Sequence, residues 1–209
     1  MVRFRIANKK DIKQIVEIHI QGSKNQPGGF MHQLGAGFLM KYYSIFLKEK
    51  HSLILVAEND DGALFGFCSG SLDVSEHLKQ LKINKIYLFL SLIPALFKNP
   101  NLIREVHNRF LHIKDDSINN NRIRYNNKIG VRIEYWAWRE GCNKAKSADL
   151  FNTWLQIAYS FGYDCVFGEV DTVNKHVVLF HKLLGAKIIN EIVLPDGRRR
   201  YFTEYRKKL

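Results

Sequence analysis

The segment from Gly130 to Ala186 constrains the fold of this chain most, because strand-like and helix-like patterns alternate along it. It opens with β-branched and aromatic residues from Val131 to Trp138, which predict a strand. A polar turn follows, and then apolar residues recur at helical spacing. A second strand is predicted from Tyr163 to Val170. A second helix is predicted after Asn174, and Gly185 would end it.

Two strands joined by a crossover helix are expected to pair in parallel. The polar run from Arg139 to Ser147 lies between the first strand and the helix. It would bring free backbone N–H groups to the positive end of the helix dipole, which is a common anion site. Lys144 and Lys146 add full positive charges to this turn. The alternative is a solvated loop that binds nothing.

Two stretches of this unit resemble signatures of the GNAT superfamily of acyl-CoA-dependent N-acetyltransferases. The family's pyrophosphate loop, Arg/Gln-x-x-Gly-x-Gly/Ala, aligns with Cys142 to Ser147, where Cys, Ala and Ser replace Arg, the first Gly and the last small residue. The second signature, Asn-x-x-Ala-x-x-Phe-Tyr-x-x-x-Gly-Phe, aligns with 174–186. Asn174, Phe180 and Gly185 agree with it at the right spacing.

The resemblance implies the α/β fold of that family, which is a central mixed, mostly antiparallel twisted sheet with a parallel central strand pair, flanked by helices. An opening strand at Arg3 to Ile6 and a hairpin from Leu53 to Ser71 agree with this topology. We expect a single domain over 1–209. Residues 75–128 would be a helical insertion between the third and fourth strands.

The resemblance also assigns residues to the chemistry. Backbone groups of the strand would hold the pantetheine arm of acetyl-CoA, and amides of the polar turn would hold its pyrophosphate. His181 stands where the family usually has a Tyr that protonates the departing thiolate, and an imidazole can also donate a proton. The residues expected to bind acetyl-CoA are Tyr135, Trp136, Ala137, Cys142, Asn143, Lys144, Ala145, Lys146, Ser147, Asn174 and Phe180.

Glu134 is the only carboxylate in the predicted strand Val131 to Trp138 and is therefore the candidate general base, acting through water. A bulge or a one-residue slip would turn this side chain to the opposite face of the sheet. The alternative is an ordinary surface glutamate.

The N-terminal helices line the acceptor pocket in the family that the chain resembles. His19 lies on or beside the apolar face of the first helix, and Tyr42 and Tyr43 lie on one side of the second. A histidine in such a position is more often packed in the core than catalytic, whereas the two tyrosines would be near the acceptor pocket. The alternative is that they are packed side chains of the core and its edge.

The predicted insertion contains a continuous apolar run, Ile86 to Ile93, which Pro94 is expected to break. Lysines flank the run, so one hypothesis is a helix lying in a membrane interface. The other is a helix packed over the sheet or in a homodimer contact, and the continuity of the run favours this second hypothesis. A further helix is expected from Leu102 to Leu111, and a polar loop from Asp115 to Asn127.

The chain has a formal net charge of +12 and three cysteines. The basic residues are scattered, which argues against a nucleic-acid partner, although CoA phosphates suit a basic protein. The cysteines lack metal-ligand spacing, so we expect no metal site and no disulfide framework. The N-terminus resembles a strand rather than a signal peptide, and we expect a cytoplasmic protein.

These observations leave three functional hypotheses. The first is an acetyl-CoA-dependent N-acyltransferase that moves an acetyl group directly to a primary amine of a small molecule or peptide. The second is a catalytically silent module of the same fold, whose degenerate loop binds CoA or another partner without turnover. The third is an enzyme held at a membrane or on nucleic acid through its basic insertion.

Overall fold

The computed structural model describes residues 2–24, 26, 30–107, 130–143, 145–194 and 197–207. Within these ranges seven strands form one sheet, in the order β1-β2-β3-β4-β5-β7-β6. Each pair of neighbours is antiparallel except β4 and β5, which are parallel as predicted. The strands are β1 Arg3–Ile6, β2 Ser52–Glu58, β3 Leu64–Ser71, β4 Arg132–Trp138, β5 Cys165–Asp171, β6 Lys187–Val193 and β7 Arg199–Arg206.

Helices cover both faces of the sheet. Asn174 caps the last of them, because its side chain accepts a hydrogen bond from the Val177 backbone N–H. Short 3₁₀ turns precede the first two helices at Lys9–Asp11 and Met31–Leu34. The α-helices are α1 Ile12–Lys24, α2 Gly35–Phe46, α3 Val74–Ile83, α4 Lys85–Lys98, α5 Ala145–Ser160 and α6 Lys175–Leu183.

The helix α5 packs against one face of the sheet through fully buried aromatic residues. Trp154 lies at the centre of this contact, and its indole N–H donates to the Leu53 carbonyl of β2 over 3.1 Å. Gly70 in β3 leaves room for this ring, since a Cβ there would lie 2.3 Å from the ring. This close approach holds α5 directly against β2, β3 and β4.

The helices α1 and α2 pack against the opposite face. Their apolar sides bury Ile15, Leu39 and Phe46 against β2 and β3. Gly22 in α1 brings that helix close to β4, because a Cβ at Gly22 would lie 3.3 Å from the Ala137 side chain. The two apolar layers therefore place α1 over β4 on one face and α5 on the other.

The described part of the insertion, as far as His107, is largely helical, as predicted, but its apolar run does not end at Pro94. Helix α4 continues through Pro94 to Lys98. An interior proline costs a helix about 3 kcal/mol or more, and packing of Leu92 and Leu96 beside Phe30 and Leu34 offsets this cost. Residues 102–107 are helical, and the remainder of that predicted helix and the predicted loop Asp115 to Asn127 lie outside the described residues.

A buried contact between His77 and Glu49 attaches the insertion to the rest of the fold. His77 of α3 contacts the Glu49 carboxylate through Nδ1 at 2.8 Å, and both side chains are 2% exposed. One side of α4 is packed, and its outward face is exposed in the single chain. Among the described residues, none of the helices has both the length and the hydropathy needed to cross a bilayer.

Candidate active site

The parallel strands β4 and β5 separate soon after they meet. Their register contains one pair, Arg132 with Phe167, and the Phe167 N–H donates to the Val131 carbonyl over 2.8 Å. Within the described residues, the ladder between β4 and β5 goes no further. The edge of β4 that faces β5 is therefore open beside Tyr135, Trp136 and Ala137. Its backbone groups are available for a ligand that lies along the strand.

A β-bulge lies at the start of this open edge. Ser69 of β3 pairs with Tyr135 and Gly70 pairs with Ile133, so Glu134 is the extra residue. Ile133 faces α5, whereas Tyr135 faces α1 and α2. The bulge that the sequence analysis allowed for is therefore present, and it places Glu134 between two residues that face opposite sides of the sheet.

A buried stack of polar aromatic side chains lies beside the bulge. The His19 ring of α1 lies parallel to the Tyr135 ring, with centroids 3.7 Å apart. His19 Nδ1 is 2.6 Å from the Tyr43 hydroxyl, and the Tyr135 hydroxyl donates to Ser23 over 3.3 Å. His19 is 1% exposed, and its Nε2 has no hydrogen-bond partner among the described residues. A buried nitrogen without a partner is a candidate contact for a ligand.

Burial sets the charge states of this stack. It lowers the pKa of His19 to about 3, and the nearby His32 adds to this effect. It also raises the pKa of Tyr135 to about 12 and raises the pKa values of Tyr42 and Tyr43. At neutral pH the stack is therefore an uncharged set of hydrogen-bonding groups. Such surroundings favour the neutral form of an amine, which is the nucleophilic form.

A chain of ion pairs crosses the gap between β4 and β5. Arg132 contacts Glu134 at 2.7 Å within β4 and Glu169 of β5 at 3.6 Å. Arg200 of β7 contacts the other oxygen of Glu169 at 3.0 Å. These side chains are 14–26% exposed. Glu134 therefore forms an ion pair with Arg132, which holds its carboxylate in place.

The polar turn after β4 leads into the N-terminus of α5. Gly141 has a φ of 78°, and the Asn143 side chain accepts from the Ala145 backbone N–H over 3.0 Å. Lys146 is paired with Asp149 on the exposed side of the helix. Ser147 is 3% exposed, so its side chain faces the core and only its backbone amide belongs to this turn. Cys142 is partly exposed, and Lys144 lies outside the described residues.

His181 lies beneath α6 against the core rather than on its surface. Its Nδ1 is hydrogen bonded with the Tyr205 hydroxyl, and its ring contacts Phe151 edge-on. Burial lowers the pKa of His181 to about 4. The imidazole of His181 is therefore desolvated and neutral at neutral pH.

The other two residues of the second signature have packing or capping contacts. The Phe180 ring stacks on Trp136 of β4, with centroids 4.4 Å apart. Asn174 caps α6. Both side chains therefore position α6 against the strand whose edge is open.

Sequence reasoning missed three residues that the structure brings to this site. Arg132 could have been found, because it lies two positions before Glu134 in the same strand. Glu169 and Arg200 belong to β5 and β7, and no local pattern predicts that their charges meet Arg132.

Comparisons with known proteins identify the fold but give no close relative. Searches with family models and against curated protein sequences found no match. Many solved structures match over nearly the whole chain. An N-acetyltransferase from Staphylococcus aureus Mu50 superimposes with a TM-score of 0.58 at 8% identity, over 99% of this chain and 97% of its own.

Two further structures show the same agreement. A chimera of spermidine N-acetyltransferase from Vibrio cholerae and hSSAT has a TM-score of 0.59 at 9% identity, over 98% of this chain and 95% of its own. A putative acetyltransferase from Salmonella typhimurium, determined with its cofactor acetyl-CoA, has a TM-score of 0.55 at 12% identity. The match covers 98% of this chain and 93% of its own. The chain therefore has the GNAT acetyltransferase fold, and the predicted fold class is confirmed.

Proposed function

We propose that this protein is an acetyl-CoA-dependent N-acetyltransferase that transfers the acetyl group directly to a primary amine of a small molecule or a peptide. The observation that carries the proposal is the open edge of β4, which begins at the Glu134 bulge and ends near the N-terminus of α5. The acetyl-CoA complex of the Salmonella typhimurium structure supports the choice of cosubstrate.

The residues present fit acetyl-CoA at both ends of this edge. Backbone groups of Tyr135, Trp136 and Ala137 would bind the amide-containing pantetheine arm, since strand edges offer both donors and acceptors. Backbone amides from Cys142 to Ser147 would bind the pyrophosphate at the positive helix end. The bound thioester supplies an activated acyl carbon, and the protein supplies position and polarity.

Residues on the α1 and α2 side would bind and activate the acceptor. The neutral His19 ring would accept a hydrogen bond from the amine at Nε2 in the tautomer that carries its proton on Nδ1. Glu134 would take the amine proton through water, and its ion pair with Arg132 would hold the carboxylate in position. His181 is neutral, so it would stabilise the departing thiolate by donating a hydrogen bond from Nε2–H rather than a proton, with Nδ1 accepting from the Tyr205 hydroxyl.

A cofactor titration tests the cosubstrate part of the proposal. Acetyl-CoA at a hundred times its dissociation constant should stabilise the protein by about 2.7 kcal/mol, visible as a rise in melting temperature. Ala145→Trp should abolish the rise, because the phosphates must approach this backbone closely. Asn152→Trp, on an exposed position of the same helix, is the matched control and should retain it. No rise in the wild-type protein with millimolar acetyl-CoA or CoA contradicts the proposal.

An amine panel then separates an enzyme from a silent module of the same fold. The panel should include spermidine, because one structural neighbour is a spermidine N-acetyltransferase, and small peptides with a free N-terminus. The silent module is favoured by Asn143, whose side chain already caps an amide of the proposed phosphate site. Stabilisation by acetyl-CoA without release of CoA for any amine would support that second function.

The compartment that suits this activity is the cytoplasm, where acetyl-CoA is available and thiols stay reduced. Cys68, Cys142 and Cys165 are free cysteines in the structure. Cys68 is buried, and burial raises the pKa of its thiol, which keeps it unreactive.

A further inference from the structure

The outward face of α4 is an exposed apolar feature that the proposed reaction does not use. Ile86, Phe89 and Phe97 are 64%, 58% and 84% exposed, and Leu90 is 54% exposed. These residues follow one another at three to four residue intervals, so they form a single stripe along the helix. With Ile93 they make up what we call the α4 face, namely Ile86, Phe89, Leu90, Ile93 and Phe97.

The opposite side of the same helix is also apolar, and it is packed. Leu92 is 6% exposed and lies with Leu102, Phe30 and Leu34 in one cluster. A helix that is apolar all round is typical of burial on both sides. Exposed apolar stripes of this kind mark contact sites for a protein or a membrane. The α4 face is therefore expected to be covered when the protein works.

The charged side chains of α2 and α4 are all positive. Lys82, Lys85 and Lys98 are exposed at the two ends of the α4 face. On α2, Lys41 lies with its Nζ 4.8 Å from the centre of the Tyr87 ring. The sequence contains no Asp or Glu between His77 and Arg104, and none between Ile18 and Lys48. The surface formed by α2 and α4 thus combines apolar side chains with cations alone.

This charge pattern distinguishes between the available partners. Two copies of the chain packed through α4 would bring lysines against lysines, without carboxylates from α2 or α4 to pair with them. Nucleic acid would match the lysines but would leave the aliphatic stripe in water. A bilayer surface with anionic lipids matches both, because apolar side chains enter the acyl boundary and lysines reach the headgroups.

We propose that the α4 face docks this protein on the surface of a membrane that contains anionic lipids, with α4 lying in the plane of the interface. The packed side of α4 rests on α2, so the body of the domain stays in water. Tyr87 has an aromatic ring with a polar end, the type of side chain that is enriched at such interfaces. The docking does not depend on acetyl transfer.

Vesicle flotation of the full chain tests this proposal. We expect the protein to float with vesicles of phosphatidylcholine mixed with phosphatidylglycerol, and to bind pure phosphatidylcholine at least about tenfold more weakly. The triple variant Lys82→Gln/Lys85→Gln/Lys98→Gln should bind the mixed vesicles at least about tenfold more weakly than the wild type. The double variant Phe89→Ser/Phe97→Ser should lose binding to them.

A matched double variant controls for the loss of exposed apolar surface in general. Leu179→Ser/Leu183→Ser removes two leucines of α6 that are 55% and 77% exposed. It should float as the wild type does, and unchanged melting temperatures would show that all three variants fold. Because every substituted side chain is exposed, we expect no large change in stability.

Three results would overturn the proposal. The first is a wild-type protein that fails to float with the mixed vesicles. The second is a wild-type protein that is a dimer in light scattering together with a Phe89→Ser/Phe97→Ser variant that is a monomer. This result would show that the α4 face binds a second copy of the chain. The third is RNA binding that weakens with salt and is lost in the lysine triple variant, while the same variant still floats with the mixed vesicles.

Discussion

The imidazole ring of His19 lies flat on the phenol ring of Tyr135, with centroids 3.7 Å apart and planes within 1° of parallel. The two residues are 116 positions apart, and the Tyr135 hydroxyl also reaches the His19 carbonyl over 3.4 Å. This contact joins α1 to β4 beside the bulge. It positions a neutral, buried histidine next to the strand edge where the thioester is proposed to lie.

The first prediction concerns His19. His19→Phe keeps an aromatic ring on Tyr135 but removes both ring nitrogens. We expect kcat/KM for the acceptor amine to fall about tenfold, which corresponds to the loss of one hydrogen bond worth about 1.4 kcal/mol. The melting shift with acetyl-CoA should remain, because His19 lies on the acceptor side. Steady-state kinetics with varied amine would measure the effect, and an unchanged kcat/KM would make His19 a packing residue only.

The second prediction concerns Glu134. Glu134→Gln keeps the shape of the side chain at the bulge but removes its charge and its basicity. If Glu134 is the general base, turnover should fall about a hundredfold or more, with acetyl-CoA affinity retained. Glu191→Gln is the matched control, because Glu191 is also a strand carboxylate paired with an arginine, Arg199. Equal turnover of the two variants would show that the Glu134 charge is structural.

The third prediction concerns His181 and its hydrogen bond to Tyr205. If the neutral imidazole donates a hydrogen bond to the departing thiolate, His181→Phe should lower turnover while acetyl-CoA affinity stays within a few-fold. Since burial lowers the pKa of His181 to about 4, this effect should be constant between about pH 7 and 9. Pre-steady-state release of CoA would measure the chemical step. If His181→Phe reacts at the wild-type rate over this pH range, His181 has a packing role only.

The fourth prediction is the pH dependence of stability. His19 and His181 have pKa values lowered by burial to about 3 and about 4, whereas an unfolded histidine titrates near pH 6.5. The unfolded state therefore binds more protons than the native state below about pH 6.5, and the free energy of unfolding should fall as the pH falls. The slope should be at most about 1.4 kcal/mol per pH unit for each histidine.

Urea unfolding between about pH 7 and 5 would measure this slope, above the range where most carboxylates titrate. The double variant His19→Phe/His181→Phe should have a flatter slope, because it removes the two groups that take up protons on unfolding. His176→Phe, at an exposed position of α6, is the control and should keep the wild-type slope. An identical slope in the double variant would show that both imidazoles already titrate in the folded protein.

The fold was largely predictable from local patterns. The βαβα unit from Gly130 to Ala186 was predicted because strand and helix periodicities alternate there and Gly and Asn mark the ends. The hairpin of β2 and β3 was predicted because a polar turn separates two apolar runs. The continuation of α4 through Pro94 was not predicted, because it depends on packing against Phe30 and Leu34.

The candidate site was only partly predictable, and the reason is distance along the chain. The sequence alone determined which residue types were present on β4 and in the turn that precedes α5. The tertiary structure decided where Glu134 faces, because the bulge exists only in the register of β3 with β4. It also decided the charge of His181 and the ion pair between Arg132 and Glu169, since burial and pairing depend on elements far apart in sequence. Local propensity carries no information about such contacts, and the free energy of burial and pairing across the sheet determines them.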